Sequence, residues 1–362
     1  MKVLVAPLDW GLGHATRCVP IIRRFLAQGA QVELAVCGQI ARLYREIFPE
    51  LRQRLAPSYN IVYPKHGFDM ALWLLRNRAH LNAVIKFEHR FAEEMVERHH
   101  YDVLISDNRF GFYSKGAKSV YMTHQCRIAF PPALSMLEPL GEFWHWSMMK
   151  HFNQVWVPDF PEFPGYAGLM SHPSFIHSSR VKFVGLLSRF DADFFGGQGS
   201  QVCSKPCKYK TMSIVSGVEP ARTTFENKLR KVLSRIPGKH LLVLGKVSEG
   251  VKVWREGNLE IHTHLPQDQM AAAAQSSQWI ISRGGYSTIM DMAVLGAKCI
   301  FVPTPGQYEQ VVLARSLDKA GYGVHVPDDK FDEENLEKAF TQNVVLPKPP
   351  KEDLLKLAIG LL

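Results

Sequence analysis

Three stretches of this 362-residue chain carry side chains able to bind a phosphorylated sugar and to move a proton. The longest runs from Trp279 to Gln310. In it, Arg283-Gly284-Gly285 precedes a segment whose apolar Ile289, Met292, Ala293 and Leu295 recur at helical spacing. Gly296 can end that helix in the left-handed conformation. A glycine turn feeding a helix N-terminus lets backbone amides and the positive end of the helix dipole approach a phosphate closely. Ser287 and Thr288 can cap the amides, and Asp291, one turn further in, can reach a pair of ribose hydroxyls. Gly306-Gln307-Tyr308-Glu309-Gln310 then offers amide and carboxylate groups suited to a polyhydroxylated ring. The glycines alone would fit an ordinary capped helix start; the acid and the amide-rich loop beside them favour a ligand.

The second stretch lies near the N-terminus. Lys2 to Pro7 reads as a buried strand, and Asp9-Trp10-Gly11-Leu12-Gly13-His14 turns into a helix running to about Gln28, stopped by Gly29. Gln31 to Val36 is the next strand. His14 stands at the helix N-terminus, where the dipole disfavours an imidazolium and keeps a neutral base available near neutral pH, unless the histidine merely caps the helix. Tyr101 to Ser106 is a strand ending in Asp107-Asn108-Arg109, and Ser119 to Met122 another ending in Thr123-His124-Gln125. Residues just past the C-termini of parallel strands line the cleft, which puts Asp107 and His124 on the rim with His14. Asp107 either hydrogen-bonds His14 and raises its basicity or caps a loop. The third stretch is the phosphate-type turn Ser216-Gly217-Val218-Glu219-Pro220-Ala221-Arg222, between a strand at Thr211 to Val215 and a helix at Thr223 to Ile236.

Ser-Arg-Gly-Gly-Tyr-Ser-Thr, Asp291-Met292-Ala293, Gly296, Phe301-Val302-Pro303 and the Gln-Tyr-Glu-Gln end together resemble the donor site of family 28 glycosyltransferases. That family includes N-acetylglucosaminyltransferases completing the lipid-linked peptidoglycan precursor and glycolipid-forming glucosyl- and galactosyltransferases. The resemblance implies a UDP-sugar co-substrate and no other cofactor. Asp291 would hold the ribose and Gln307, Glu309 and Gln310 the sugar. Ser216, Gly217, Arg222, Leu265, Arg283, Gly284, Gly285, Ser287 and Thr288 would complete the donor site. It also places a glycine turn ending in His at Gly11, Gly13 and His14 on the acceptor side, and makes His124 a cleft residue. Asp stands here where peptidoglycan members usually carry Glu, and one of the paired glutamines is replaced, which leaves the donor sugar open. The matches are dense only near residues 11–17 and 264–310.

The elements that must position these residues alternate strand and helix in two halves. The chain reads as α/β, with two facing Rossmann-like domains and a cleft between them, the GT-B architecture that the resemblance implies. The expected boundaries are an N-terminal acceptor domain at 1–190, a linker at 191–209, a donor domain at 210–345 and a C-terminal helix at 346–362. Hydrophobic residues are 46% and charged residues 21%, a globular balance with enough chain for two cores. No apolar run approaches the roughly 20 residues that span a bilayer, and Met1 to Ala6 is too short for a signal peptide, so a cytoplasmic protein is expected. Cys18, Cys37, Cys126 and Cys299 read as small buried hydrophobes. Cys203 and Cys207 form a CxxxC with no second pair at zinc spacing, so no metal is expected.

Lys and Arg outnumber Asp and Glu 43 to 34, a formal charge of +9. That balance favours polyanions: an anionic membrane surface, a nucleotide diphosphate or nucleic acid. The absence of zinc-finger spacing and of aromatic RNP-type strands argues against nucleic acid. Residues 68–99 carry Leu81, Val84, Ile85, Phe91, Met95 and Val96 at helical spacing. Trp73 and neighbouring leucines against Arg76 and Arg78, and Phe143-Trp144-His145-Trp146 with Lys150, suit either a membrane headgroup region or a core. Four functions compete: hexosyl transfer from a UDP-sugar to an acceptor hydroxyl with inversion, a nucleotide-sugar 2-epimerase, a non-catalytic nucleotide-sugar binder and an NAD enzyme. The transferase is favoured. The last is disfavoured because Gly-Leu-Gly-His lacks the full dinucleotide fingerprint and no acid ends the second strand.

Overall fold

Valine, leucine and isoleucine fill both faces of the N-terminal strands, the pattern of a parallel sheet covered on each side by helices. The computed structural model describes residues 1–9, 11–59, 77–130, 132–172, 179–190, 207–217, 219–246, 250–347, 349 and 353–362. The first unit runs β1 (Lys2–Pro7), α1 (Leu12–Ala27), β2 (Gln31–Val36), α2 (Gly38–Ile47), β3 (Gln53–Leu55), α3 (Arg78–His99), β4 (Val103–Asp107), β5 (Lys118–Met122), α4 (Glu138–Met149), β6 (Gln154–Val157) and β7 (Val181–Phe183). Its seven strands pair in the order β3-β2-β1-β4-β5-β6-β7, all parallel. The order reverses between β1 and β4, so the crevice at that switch point opens where α1 starts and β4 ends. α1 packs Ala15, Cys18, Val19, Ile22 and Phe25 inward, and Gly29 beyond it takes φ 75°.

The second unit repeats the plan: β8 (Tyr209–Ile214), α5 (Ala221–Leu233), β9 (His240–Val243), β10 (Val253–Glu256), β11 (Leu259–His262), α6 (Gln267–Gln275), β12 (Ser277–Ser282), α7 (Tyr286–Leu295), β13 (Cys299–Phe301), α8 (Tyr308–Lys319), β14 (Val324–His325) and α9 (Glu333–Phe340). The order is β10-β11-β9-β8-β12-β13-β14, parallel apart from the antiparallel pair β10 and β11. Here the switch falls between β8 and β12. Phe225, Leu229, Leu242, Ile261, Ile281, Ile300 and Leu336 build the core that holds this sheet to its helices.

The units divide at Arg189 and Phe190, and residues 351–362, carrying α10 (Leu354–Gly360), belong with the first unit. The tail is anchored there by an Arg24–Asp353 ion pair at 2.6 Å and by Gln154 Nε2 donating to the Leu361 carbonyl at 3.1 Å. β8 opens at Tyr209, inside the stretch expected as linker, because the Tyr209 N–H bonds Ser276 O next to the β12 ladder. The rest of that linker that falls in 191–206, Cys203 included, and the cluster at Met70 to Arg76 lie outside the described residues. Among the described residues no helix is long and apolar enough to cross a membrane, and no group of His, Cys, Asp and Glu is arranged to hold a metal.

Candidate active site

Gly11 caps α1 with φ 82°, a left-handed conformation that favours glycine, and aims the first turn so that His14 faces the end of β4. His14 Nδ1 lies 3.0 Å from Asp107 Oδ2, which answers whether Asp107 bonds the histidine or caps a loop. The helix cap is Gly11, so His14 is not a capping residue. One turn on, Arg17 lies almost wholly buried and forks onto the same carboxylate, through Nε to Oδ2 at 2.9 Å and through Nη2 to Oδ1. Its Nη1 stands 3.2 Å from His124 Nδ1 and its Nη2 2.9 Å from His14 Nδ1. Burial would raise the Asp107 pKa, but Arg17 and His14 outweigh it and hold the carboxyl down to about 2. Burial lowers the His14 pKa, Asp107 works against that, and Arg17 adds to it. Burial and a buried guanidinium thus favour the neutral imidazole, where the sequence suggested a helix dipole as the cause.

Arg17 is the residue that sequence reasoning missed. Its spacing of three from His14 puts the two on one face of a helix, which was the available signal. Gly13 accepts from Thr16 Oγ1 at 3.1 Å within the same turn.

In the second unit the residues expected to hold a donor gather at the C-terminal ends of β8 and β12. Gly217, with φ 106°, and half-buried Ser216 follow β8. Gly284 and Gly285 follow β12, with Gly285 at the N-cap of α7. A Cβ on Gly284 would come within 3.1 Å of the Gln310 carbonyl, whereas one on Gly285 would meet nothing within 4 Å. The first glycine is thus needed for packing and the second leaves room for a ligand. Ser287 and Thr288 lie inside the first turn of α7 and do not cap it, because Gly285 holds that position. Asp291 is largely buried one turn on, and Gly296 ends the helix at φ 65°. Leu265 is buried just before α6.

Two arginines expected at the donor are occupied elsewhere. Arg283 is 2% exposed; its Nη1 donates to Val302 O at 3.0 Å, Pro303 O at 3.1 Å and Asp328 Oδ1 at 2.7 Å, and its guanidinium covers the Phe225 ring. Burial lowers its pKa against the pull of Asp328. It braces the strand end under the glycine turn and does not present its charge to a phosphate. Arg222 pairs with Glu219 and donates to Leu244 O at 3.1 Å. From the first turn of α8, Gln310 Oε1 accepts from Thr304 N–H at 2.8 Å and its Nε2 donates to Gln307 Oε1, so these amides fix the shape of the loop before the helix. Glu309 is half-buried in the first turn of α8.

Two Rossmann-like units in tandem, each with its candidate residues at the switch point of its sheet, define the GT-B class. The profile described as the glycosyltransferase family 28 C-terminal domain matches residues 240–353. That match covers most of the second unit, so this part of the chain is similar to the family's C-terminal domain. An uncharacterized glycosyltransferase of Methanosarcina acetivorans is 22% identical over 344 residues, 89% of this chain and 83% of that protein. A UDP-N-acetylglucosamine--N-acetylmuramyl-(pentapeptide) pyrophosphoryl-undecaprenol N-acetylglucosamine transferase of Bartonella henselae is 25% identical over 107 residues, 29% of this chain and 28% of that protein. The solved glycotransferase of kitacinnamycin shares the fold with a TM-score of 0.61 at 14% identity, over 99% of this chain and 93% of that one.

Proposed function

We propose that the protein transfers a hexosyl group from a UDP-sugar to an acceptor hydroxyl with inversion, and that the acceptor is lipid-linked and met at the inner face of a membrane. The observation that carries this reading is the pairing of partly exposed His14 with buried Asp107 at the switch point of the first sheet. A hydroxyl is a poor nucleophile until it loses its proton, and His14 takes that proton as the oxygen bonds to the anomeric carbon. The bond from that carbon to the diphosphate breaks, and UDP leaves with its charge stabilised by the α7 N-terminus at Gly284-Gly285 and by Ser216 and Gly217. Asp291 holds the ribose; Gln307, Glu309 and Gln310 hold the sugar. The name of the Bartonella relative supports both the UDP-sugar and a polyprenol-linked acceptor.

Incubation with UDP-glucose, UDP-galactose and UDP-N-acetylglucosamine, each with and without a polyprenyl-diphosphate-sugar acceptor, tests the reading. The expected result is acceptor-dependent UDP release with one of the three. Isomerisation of the sugar would make the protein an epimerase, and saturable binding without turnover would make it a nucleotide-sugar-binding protein.

A further inference from the structure

Between β13 and α8 the chain bends at Gly306, with φ 86°, and enters the helix with Gln307 at its N-cap. Backbone bonds close the bend: Gln307 N–H donates to Thr304 O at 3.0 Å and Gln310 N–H to Gln307 O at 3.1 Å. The first turn of α8 lies against the glycine turn before α7, since a Cβ on Gly284 would stand 3.1 Å from Gln310 O and 3.6 Å from Gln310 Cβ. A sugar carried on a diphosphate at Gly284-Gly285 is therefore within reach of this loop.

A glutamine amide keeps its shape when turned end for end, so its partners decide which end points where. Here one backbone N–H, on buried Thr304, decides for two amides. An N–H only donates, so Gln310 presents Oε1 to it, at 2.8 Å. Nε2 of Gln310 is thereby turned the other way and donates to Gln307 Oε1. Gln307 then carries its Nε2 on the side away from Gln310, and that nitrogen donates to no described residue. This order depends on which atom faces which, and it stands whatever the second lone pair of Gln310 Oε1 and the second hydrogen of its Nε2 meet.

A sugar hydroxyl rotates to suit either end of an amide, so an amide held one way round favours a group that accepts and cannot donate. We propose that Thr304 N–H and Gln310 fix Gln307 as a hydrogen-bond donor toward the transferred sugar, and that it selects a sugar bearing an acceptor-only oxygen, the carbonyl of an acetamido group or a carboxylate. Gln310 is a positioning residue that acts through Gln307. The order of the amides rests on the loop alone; its use on a sugar rests on the UDP-sugar reading above.

Side-chain amide spectra of the full-length protein, labelled at the glutamine side-chain nitrogen, read the order with no nucleotide present, with Gln307→Ala and Gln310→Ala assigning the peaks. The expected result is a hydrogen on Gln310 Nε2 that exchanges with water more slowly than either on Gln307 Nε2; equal exchange, or slow exchange on Gln307 instead, would overturn the proposal. Gln310→Glu supplies the reversal. One oxygen of the new carboxylate still accepts from Thr304 N–H and the other can only accept, so Gln307 must turn its Nε2 inward and its oxygen outward, and the slow hydrogen should move to Gln307. Calorimetry of UDP, UDP-glucose, UDP-N-acetylglucosamine and UDP-glucuronate reads the use of that order. Wild type should bind one of the last two about 10-fold more tightly than UDP-glucose, the worth of one hydrogen bond, and which one it is separates carbonyl from carboxylate. Gln310→Glu should abolish that preference while leaving UDP and UDP-glucose as they were. No preference in wild type, a preference that survives in Gln310→Glu, or an equal loss on all four ligands would sink the selection. If that variant fails to fold, Gln307→Glu keeps the bond from Gln310, sets an oxygen where Nε2 was and should lose the same preference. A wild type that binds none of the four would end the transferase reading and the sugar role with it, whereas the spectra judge the loop separately.

Discussion

His14 reads as a base from where it sits and what it touches, and both properties make measurable claims. Its Nδ1 meets Asp107 while the helix cap is supplied by Gly11, so an asparagine in its place can still donate to Asp107 but cannot take a proton. His14→Asn should therefore stay folded and lower turnover by about 100-fold to 10,000-fold, with UDP affinity nearly unchanged. Near-wild-type turnover would move the base elsewhere. Because burial and Arg17 lower the His14 pKa from its ordinary 6.5, protonation sets in only below that pH. The acid limb of kcat/KM should accordingly fall below pH 6.5; a limb centred at or above that value would contradict the assignment. On the donor side Asp291→Ala should weaken UDP more than free phosphate, by about 1.5 to 3 kcal/mol, the cost of a hydrogen bond to a charged acceptor. Equal UDP affinity in calorimetry would remove the ribose role.

At the scale of elements, the turn from β12 into α7 separates packing from binding. Gly285→Ala adds a methyl to open space at φ −73°, so stability should change by less than about 1 kcal/mol while donor affinity drops. Unchanged affinity would show that no phosphate approaches there. Asp328→Ala removes the partner of buried Arg283 and should lower unfolding free energy in denaturant by about 3 kcal/mol, as breaking a buried ion pair does. The same turn shows what could be read before the fold was known. The helical spacing of Ile289 to Leu295 and the left-handed Gly296 follow from local pattern, and α7 does end at Gly296. The role of Arg283 does not, because Asp328 comes 45 residues later and only the assembled sheet brings it near. Arg222 and Glu219 are three residues apart, a local pairing that was there to be read. The C-terminal helix was visible as a helix, but its return to the first unit depends on Arg24 and Gln154, far back in the chain.

For the whole molecule, a formal charge of +9 would assist approach to an anionic bilayer, but charge alone does not say which surface docks. α4 gives the candidate face. It buries Glu142, His145 and Met149 and turns Leu140, Phe143 and Trp144 outward, with Met136 just before it; Phe143 is 73% and Leu140 66% exposed. Trp144 still packs edge-on against Phe110, while Lys150 lies exposed at the helix end. An apolar ridge with a cation at its margin suits the headgroup boundary, where buried apolar area and attraction to anionic lipid add. Replacing Leu140 and Phe143 with serine leaves the buried side of α4 untouched, so UDP binding should persist while sedimentation with phosphatidylglycerol vesicles falls. Replacing Lys150 with glutamate should weaken sedimentation at low salt and matter little at high salt, since exposed charges are screened beyond about 10 Å at 0.1 M. If the wild-type protein fails to sediment with these vesicles even at low salt, membrane docking through this face is lost, and with it the argument for a lipid acceptor drawn from this surface.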